Sequence, residues 1–339
     1  MFTVTARTVL ELGAELISSD VIAFYELIKN GFDAGSKNGV AIRFETLLTQ
    51  KAAQAALRIK VDSVAVLKEN VEEALEHNAP KALVEAFTGE LAKAKTLSAA
   101  QAIVSRAPSK YNRVIVEDTG SGMSAGDLQD AFLVIGTSSR RTDVEAAIKT
   151  GADDAPYLGE KGIGRLSAMR LGDTLAVISA TKDDTHYNLL QIDWNDFAKP
   201  EAMLSEIDIE PEQGDEKDDE IYHGTKLVIG KLQASWSFEK VYELCQYDFA
   251  RLIDLRMPQK KRPKVTVFFN GERVSIPRMP KSILDAAHAR IEGRLEYQDG
   301  EPILTCTAEI RDLGFEHPVY TETYVLGLKE MAKNPINSH

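Results

Sequence analysis

The chain has 339 residues and carries 40 Lys plus Arg against 52 Asp plus Glu, a formal net charge of −12 at pH 7. It is 44% hydrophobic and 27% charged, which excludes bulk disorder and collagen-like repeats; the length suggests about two domains. No apolar run approaches the roughly 18 residues of a membrane span, the start MFTVTARTVLELGAELIS lacks the pattern of a secretory leader, and Cys245 and Cys306 form no CxxC pair, so no membrane, disulfide framework or zinc site is expected and a reducing cytoplasm fits.

Residues 19–34 are predicted as a helix. Ser18 or Ser19 can cap it, Val21, Tyr25, Ile28 and Phe32 make an apolar stripe, and Gly31 interrupts it before a turn at Gly35. Val40–Glu45 reads as a strand. Residues 46–112 change texture, with fifteen Ala, one Phe and no Gly but Gly89. Leu57, Val61, Val64, Leu67, Val71 and Leu75 recur at helical spacing, Pro80 ends or bends that helix, and Leu83, Phe87 and Leu91 start a second stripe. We expect a helical hairpin of two or more helices, either a structural embellishment or an arm for a partner or for self-association.

Arg113–Glu117 is the next expected strand, with a turn at Asp118–Gly122 behind it and a helix over Leu128–Ile135. Residues 140–158 are polar and fit a mobile loop. A helix is expected over Leu166–Leu171, and strands over Thr174–Ala180, Tyr187–Ile192 and Thr225–Ile229. Charge is uneven between them. Residues 201–220 hold ten acids and one Lys, and 211–220 reads as a solvated loop. After about 235 a helix is expected, then a strand over Lys264–Asn270 whose Asn270-Gly271 signals a hairpin, then strands over Pro302–Ile310 and Val319–Leu328. Residues 251–294 hold eleven basic residues against four acids, which suits either a solvated surface or a DNA contact. The pattern is α+β, in two domains split near 232–236.

Four short motifs stand in order: Glu26-Leu-Ile-Lys-Asn30-Gly-Phe-Asp33-Ala, Asp118-Thr-Gly120-Ser-Gly122-Met123, Gly159-Glu-Lys161-Gly162-Ile163-Gly164-Arg165, and Gly224-Thr225. Each alone has a bland reading: a surface helix face, a tight turn, a glycine loop, an uninformative pair. On a helix, Glu26, Asn30 and Asp33 share a face. An amide oxygen at Asn30 suits Mg²⁺, which takes few protein ligands when phosphates supply the rest. Glu26 can orient or deprotonate a water by proximity, against the alternative of a surface carboxylate paired with a Lys. Glycines at 120 and 122 let backbone approach a base. Gly162 and Gly164 precede a helix, whose free N–H groups can cradle phosphate.

Taken together, the set resembles the N box and glycine boxes of the GHKL ATPases, the superfamily of gyrase B, the large heat-shock chaperone, histidine kinases and MutL. The resemblance spans about residues 1–232, and the Walker pattern GxxxxGK[ST] is absent from the sequence. It implies a Bergerat-type two-layer α/β sandwich with a helical insertion at 46–112 and an ATP lid at 138–160. Residues 233–339 would form a ribosomal-S5-like α/β transducer, with Lys329 nominated for the γ-phosphate. It implies ATP and Mg²⁺ as cofactors. Asp118 would accept from the adenine amino group, with Thr225 in support and Gly120, Gly122 and Met123 against the base. Asn30 and Asp33 would face the nucleotide, and Asn30 would hold the metal. Gly159, Lys161, Gly162, Ile163, Gly164 and Arg165, with Thr137 and Ser138 at the start of the lid, would meet the phosphates. Glu26 would be catalytic.

No phosphoacceptor His precedes the N box, which disfavours the kinase branch. The roughly 67 residues between the first two strands depart from simpler members. The expected function is Mg-dependent ATP hydrolysis driving an ATP-gated homodimer clamp or switch. It would act on a partner or effector protein or on DNA, the latter through 251–294. An ATPase subunit of an anti-phage defence or DNA-maintenance system would fit. The alternative is a non-hydrolysing nucleotide-sensing module, or a chaperone-like protein, whose helical insertion recruits a partner.

Overall fold

A computed structural model describes residues 4–133, 166–199, 201–251, 264–277, 288–298, 301–310 and 320–327. These fall into two compact units, one running to Pro277 and one holding the strands beyond 288.

In the first unit, helix α1 (Arg7–Leu16) precedes α2 (Asp20–Asp33). Ser19 caps α2, its side chain accepting from the Ile22 amide at 3.2 Å. The buried stripe of α2 is Phe24, Leu27, Ile28 and Gly31, whereas Val21, Tyr25 and Phe32 are only partly buried against the same core. The stripe is therefore rotated from the expected one. Phe24 wins the interior because it packs at 5.6 Å, centroid to centroid, on both Phe44 and Trp236.

Strand β1 (Val40–Glu45) enters the sheet and the chain then leaves it for four helices: α3 (Gln50–Arg58), α4 (Val64–Glu73), α5 (Lys81–Ala92) and α6 (Leu97–Tyr111). The periodicity through Leu57 and Val64 suggested one helix there. The chain breaks between them, since Ser63 starts a new helix by accepting from the Val66 amide. These helices close a hydrophobic core of their own around Leu67, Val71, Phe87, Leu91 and Val104. Two buried asparagines tie this insertion to the sheet. Asn112 accepts from the Leu47 amide at 2.9 Å and donates to the Leu48 carbonyl at 2.9 Å. Asn270 accepts from the Thr46 amide at 2.8 Å and donates to the carbonyls of Thr46 and His77.

The chain returns as β2 (Arg113–Asp118), then α7 (Ala125–Asp127) with a wider helical turn over Leu128–Phe132. Next come α8 (Ser167–Leu171), β3 (Gly172–Ala180), β4 (His186–Asp193), α9 (Trp194–Phe197), β5 (Glu212–Glu216) and β6 (Gly224–Leu232). Part of the acidic run is thus strand and not loop. β5 has no apolar residue and pairs with β4 at the sheet edge, where backbone bonding alone suffices. Helix α10 (Phe238–Glu243) precedes β7 (Val265–Phe269) and β8 (Glu272–Val274). The last two form the expected hairpin, with positive φ at Asn270 and Gly271.

The sheet has eight strands in the order β5-β4-β3-β6-β2-β1-β7-β8. It is antiparallel except for β1 beside β7. The last two strands on one side of the sheet, β7 and β8, thus come from beyond residue 232, where the sequence suggested a boundary. Val267 and Phe269 join the main core, which explains why they stay with it.

The second unit contains β9 (Ala289–Gln298), β10 (Glu301–Ile310) and β11 (Tyr320–Gly327), an antiparallel sheet in the order β11-β10-β9. Among the described residues no helix is long and apolar enough to cross a membrane.

Candidate nucleotide site

Three adjacent strands bring Asp118, Thr225 and Ser179 side by side. Asp118 on β2 pairs in register with Thr225 on β6, and Thr225 with Ser179 on β3. Register partners project from the same face of a sheet, so the three side chains make one polar row. Ser179 is fully buried and Thr225 nearly so. Their hydroxyls lie 2.8 Å apart.

Asp118 Oδ1 accepts from the Gly120 amide at 2.7 Å. Burial pushes its carboxyl up to about 6, against the opposing pull of hydrogen bonds from the Gly120 and Thr225 amides. The carboxylate is ionised at neutral pH and keeps acceptor capacity for a ligand.

The turn after Asp118 is held from both sides. The Ser121 amide donates to the Ala34 carbonyl at the end of α2, at 2.9 Å. The Met123 amide donates to Ser179 Oγ at 2.9 Å. Gly122 has φ +72, and a Cβ there would stand 1.8 Å from the Ala180 carbonyl oxygen, so no other residue fits. Gly120 is similarly confined by Ala34.

Helix α2 reaches this row through Gly31. A Cβ on Gly31 would lie 2.6 Å from Val40 Cγ2 and 3.1 Å from Asp118 Cβ. The glycine is thus the point where helix and strand touch, and the Glu26, Asn30 and Asp33 face stands round the helix from that buried stripe. All three are partly buried. Lys29 Nζ donates to Glu26 Oε1 at 2.7 Å, so the carboxylate has an ion-pair partner on its own helix. Among the described residues no cluster of His, Cys, Asp or Glu could hold a metal by itself. The amide oxygen of Asn30 is a hard donor of the kind Mg²⁺ takes when other ligands come from phosphate or water.

Helix α8, behind the Gly159–Arg165 motif, packs on α2, and Arg170 Nε donates to Asp20 Oδ1 at 3.2 Å. Thr137, Ser138, Gly159, Lys161, Gly162, Ile163, Gly164, Arg165 and Lys329 themselves lie outside the described residues, as do residues 138–160.

Residues 91–225 match the family model described as histidine kinase-, DNA gyrase B-, and HSP90-like ATPase. The chain carries a GHKL-type ATPase domain. The matched span includes Asp118, Gly120, Gly122, Met123 and Thr225. The helix bearing Glu26, Asn30 and Asp33 precedes the matched span and packs at Gly31 against Val40 and Asp118. A mixed α/β ATPase domain is therefore present, and membership at this level supports ATP binding and hydrolysis as its general activity.

Sequence reasoning missed three contributors. Ser179 acts through strand register, which no local pattern reveals. The Nδ1 of His223 bonds the Gly120 carbonyl. Ser36 Oγ accepts from the Thr119 amide at 2.9 Å and donates to the Gly39 carbonyl at 2.7 Å. Gly35 marked a turn but not this bond. A cavity of about 620 Å³ opens on the turn between Gly120, Ala34, Lys37, Lys182 and His223. It borders the polar row but is lined by neither Asp118 nor Asn30, so the row and not this cavity carries the functional argument.

Proposed function

We propose that the GHKL domain binds Mg–ATP, with the base against Asp118 and Thr225, and hydrolyses it using Glu26. The single observation that carries this reading is the contact at Gly31. It joins the helix that carries the Glu26 carboxylate and the Asn30 amide to the strand that carries the Asp118 acceptor. Asp118 and Thr225 select the adenine amino group. Gly120, Gly122 and Met123 supply close backbone, and Asp33 faces the nucleotide in this proposal. Asn30 would hold Mg²⁺, which supplies charge neutralisation on the phosphates when bound. Glu26 orients and deprotonates the attacking water once Lys29 lets go. Their ion pair is partly exposed, and such pairs contribute little to stability. Thr137, Ser138, Gly159, Lys161, Gly162, Ile163, Gly164 and Arg165 complete the phosphate side in this proposal.

On the same reading, ATP binding orders the 138–160 lid and drives homodimerisation, an ATP-gated clamp acting on a partner protein or DNA. On this reading 1–232 takes the ATPase role and 233–339 the transducer role, except that β7 and β8 belong to the ATPase sheet. Differential contacts to the γ-phosphate would separate the triphosphate and diphosphate states. Supply to an anti-phage or DNA-maintenance assembly in the cytoplasm is the setting proposed. A second reading, a nucleotide sensor without turnover, is favoured by the Glu26–Lys29 pair and by the self-contained core of the helical insertion, which suits a recruitment surface.

Turnover separates them. Glu26→Ala is expected to abolish hydrolysis while binding Mg–ATP within about twofold of wild type. A wild type that hydrolyses no faster than this variant, with its partner present, leaves only the sensor.

A further inference from the structure

Ser179 sits near the end of β3, is fully buried, and its hydroxyl touches three groups at once. It donates to the Gly224 carbonyl at 3.0 Å, accepts from the Met123 amide at 2.9 Å and lies 2.8 Å from Thr225 Oγ1. A hydroxyl has one proton and two lone pairs. With the proton given to Gly224 and one lone pair to Met123, the third contact closes only if Thr225 gives its own proton to Ser179. Thr225 then turns lone pairs toward the rest of the site. Its register partner Asp118 does the same as a carboxylate. Two neighbouring strands therefore present hydrogen-bond acceptors side by side.

We propose that Ser179 is a positioning residue that sets the hydrogen-bond polarity of the base-recognition wall, so that the wall accepts an exocyclic amino group and rejects a carbonyl in its place. The proposal rests on the reading of Asp118 and Thr225 as the base contacts. Ser179 acts through Thr225 Oγ1, and through the Met123 amide that it anchors behind Gly122. In a 6-oxopurine a carbonyl replaces the amino group and N1 carries a proton. The two hydrogens of an amino group match two acceptors, whereas a 6-oxopurine needs one donor and one acceptor, the Thr225 proton on the carbonyl and Asp118 on N1–H. Ser179 prevents this by occupying the Thr225 proton. Discrimination of this kind comes from unmatched buried polar groups, which cost more than a matched pair gains.

The test uses the full chain, with Mg–ATP and Mg–inosine triphosphate titrated separately. Ser179→Ala frees the Thr225 proton. The affinity ratio of ATP to inosine triphosphate is expected to fall roughly tenfold, which corresponds to about 1.4 kcal/mol, chiefly because inosine triphosphate binds better. Ser179→Thr should keep the wild-type ratio. Ser179→Ala with Thr225→Val should lose the gain, since no proton remains to donate. Should Ser179→Ala fail to fold by its melting curve, Ser179→Cys serves instead, its thiol being a weak donor and acceptor of similar size. A Ser179 variant that weakens both nucleotides equally, or leaves the ratio unchanged, overturns the proposal and makes Ser179 merely structural. A wild type that binds neither nucleotide overturns the parent reading, and this one with it.

Discussion

The two ends of the candidate site are built in opposite ways. At the base end, Asp118, Thr225 and Ser179 come from three paired strands, and the last two are buried with their hydroxyls bonded to each other. At the proposed catalytic end, Glu26 and Asn30 stand on the outer face of one helix. There the Glu26 side chain is 27% exposed and its Lys29 partner 41%. A strand row holds its geometry through ladder bonds on both sides. A helix surface holds a side chain only through its neighbours. The comparison suggests that base recognition is preorganised, while the chemistry depends on side chains free to move when phosphate arrives.

The largest way to sharpen this contrast is Glu26→Ala. Loss of a positioned base typically costs 10²–10⁴ in rate. Single-turnover hydrolysis is expected to fall by that factor while the melting temperature stays within about 1 °C, because a partly exposed carboxylate in a surface ion pair carries little stability. A large drop in melting temperature would show the catalytic end to be as structural as the base end.

Asp118→Asn probes the other end through pH. Burial raises the folded carboxyl to about 6, from 3.8. A raised carboxyl favours folding while protonated, so its contribution is fully present below about 4 and is lost as pH rises through 6. Asparagine keeps an acceptor for the Gly120 amide and has no charge to bury. The variant should therefore gain stability over wild type between pH 4 and 7, on the order of 2–3 kcal/mol at the top of that window. Denaturant titrations at pH 4 and pH 7.5 measure it. Equal stabilities at both would mean that the carboxylate is not confined as described.

Gly31→Ala tests the join between the two ends. Alanine adds roughly 1 kcal/mol of helix propensity, yet its methyl would lie 2.6 Å from Val40 Cγ2. Overpacking of this kind typically costs about 1–3 kcal/mol, so slight net destabilisation is expected together with weaker ATP binding as Asp118 shifts. Stabilisation with unchanged binding would break the join. The smallest effect is expected from Lys29→Ala, within about 0.5 kcal/mol of wild type, with single-turnover hydrolysis equal or faster because Glu26 is released. A loss of hydrolysis there would make Lys29 part of the machinery.

The turn after Asp118 was legible in sequence, where a motif fixes backbone. Asp118, Gly120 and Gly122 are one turn, and the structure shows why each glycine is needed. Gly31 was visible only as a break in a stripe, because its reason, contact with Val40 and Asp118, lies across the fold. The stripe itself was placed one side round the helix, since Tyr25 is as apolar in pattern as Phe24; Tyr25 instead reaches out to the Asp248 carbonyl with its hydroxyl at 2.9 Å. In the insertion, the helical period was right but ran through the break before Ser63. β5 was hidden because an edge strand needs no apolar face. Ser179, a serine in an apolar strand, acquires meaning only from the registers of β3 and β6.

The most direct test of the account is calorimetric titration of Mg–ATP into wild type and Asp118→Asn at pH 7.5. The account predicts saturable binding by wild type and at least tenfold weaker binding by the variant, since an accepting carboxylate bond is worth roughly 1.5–3 kcal/mol. Equal affinities, or no saturable binding by wild type, would contradict it.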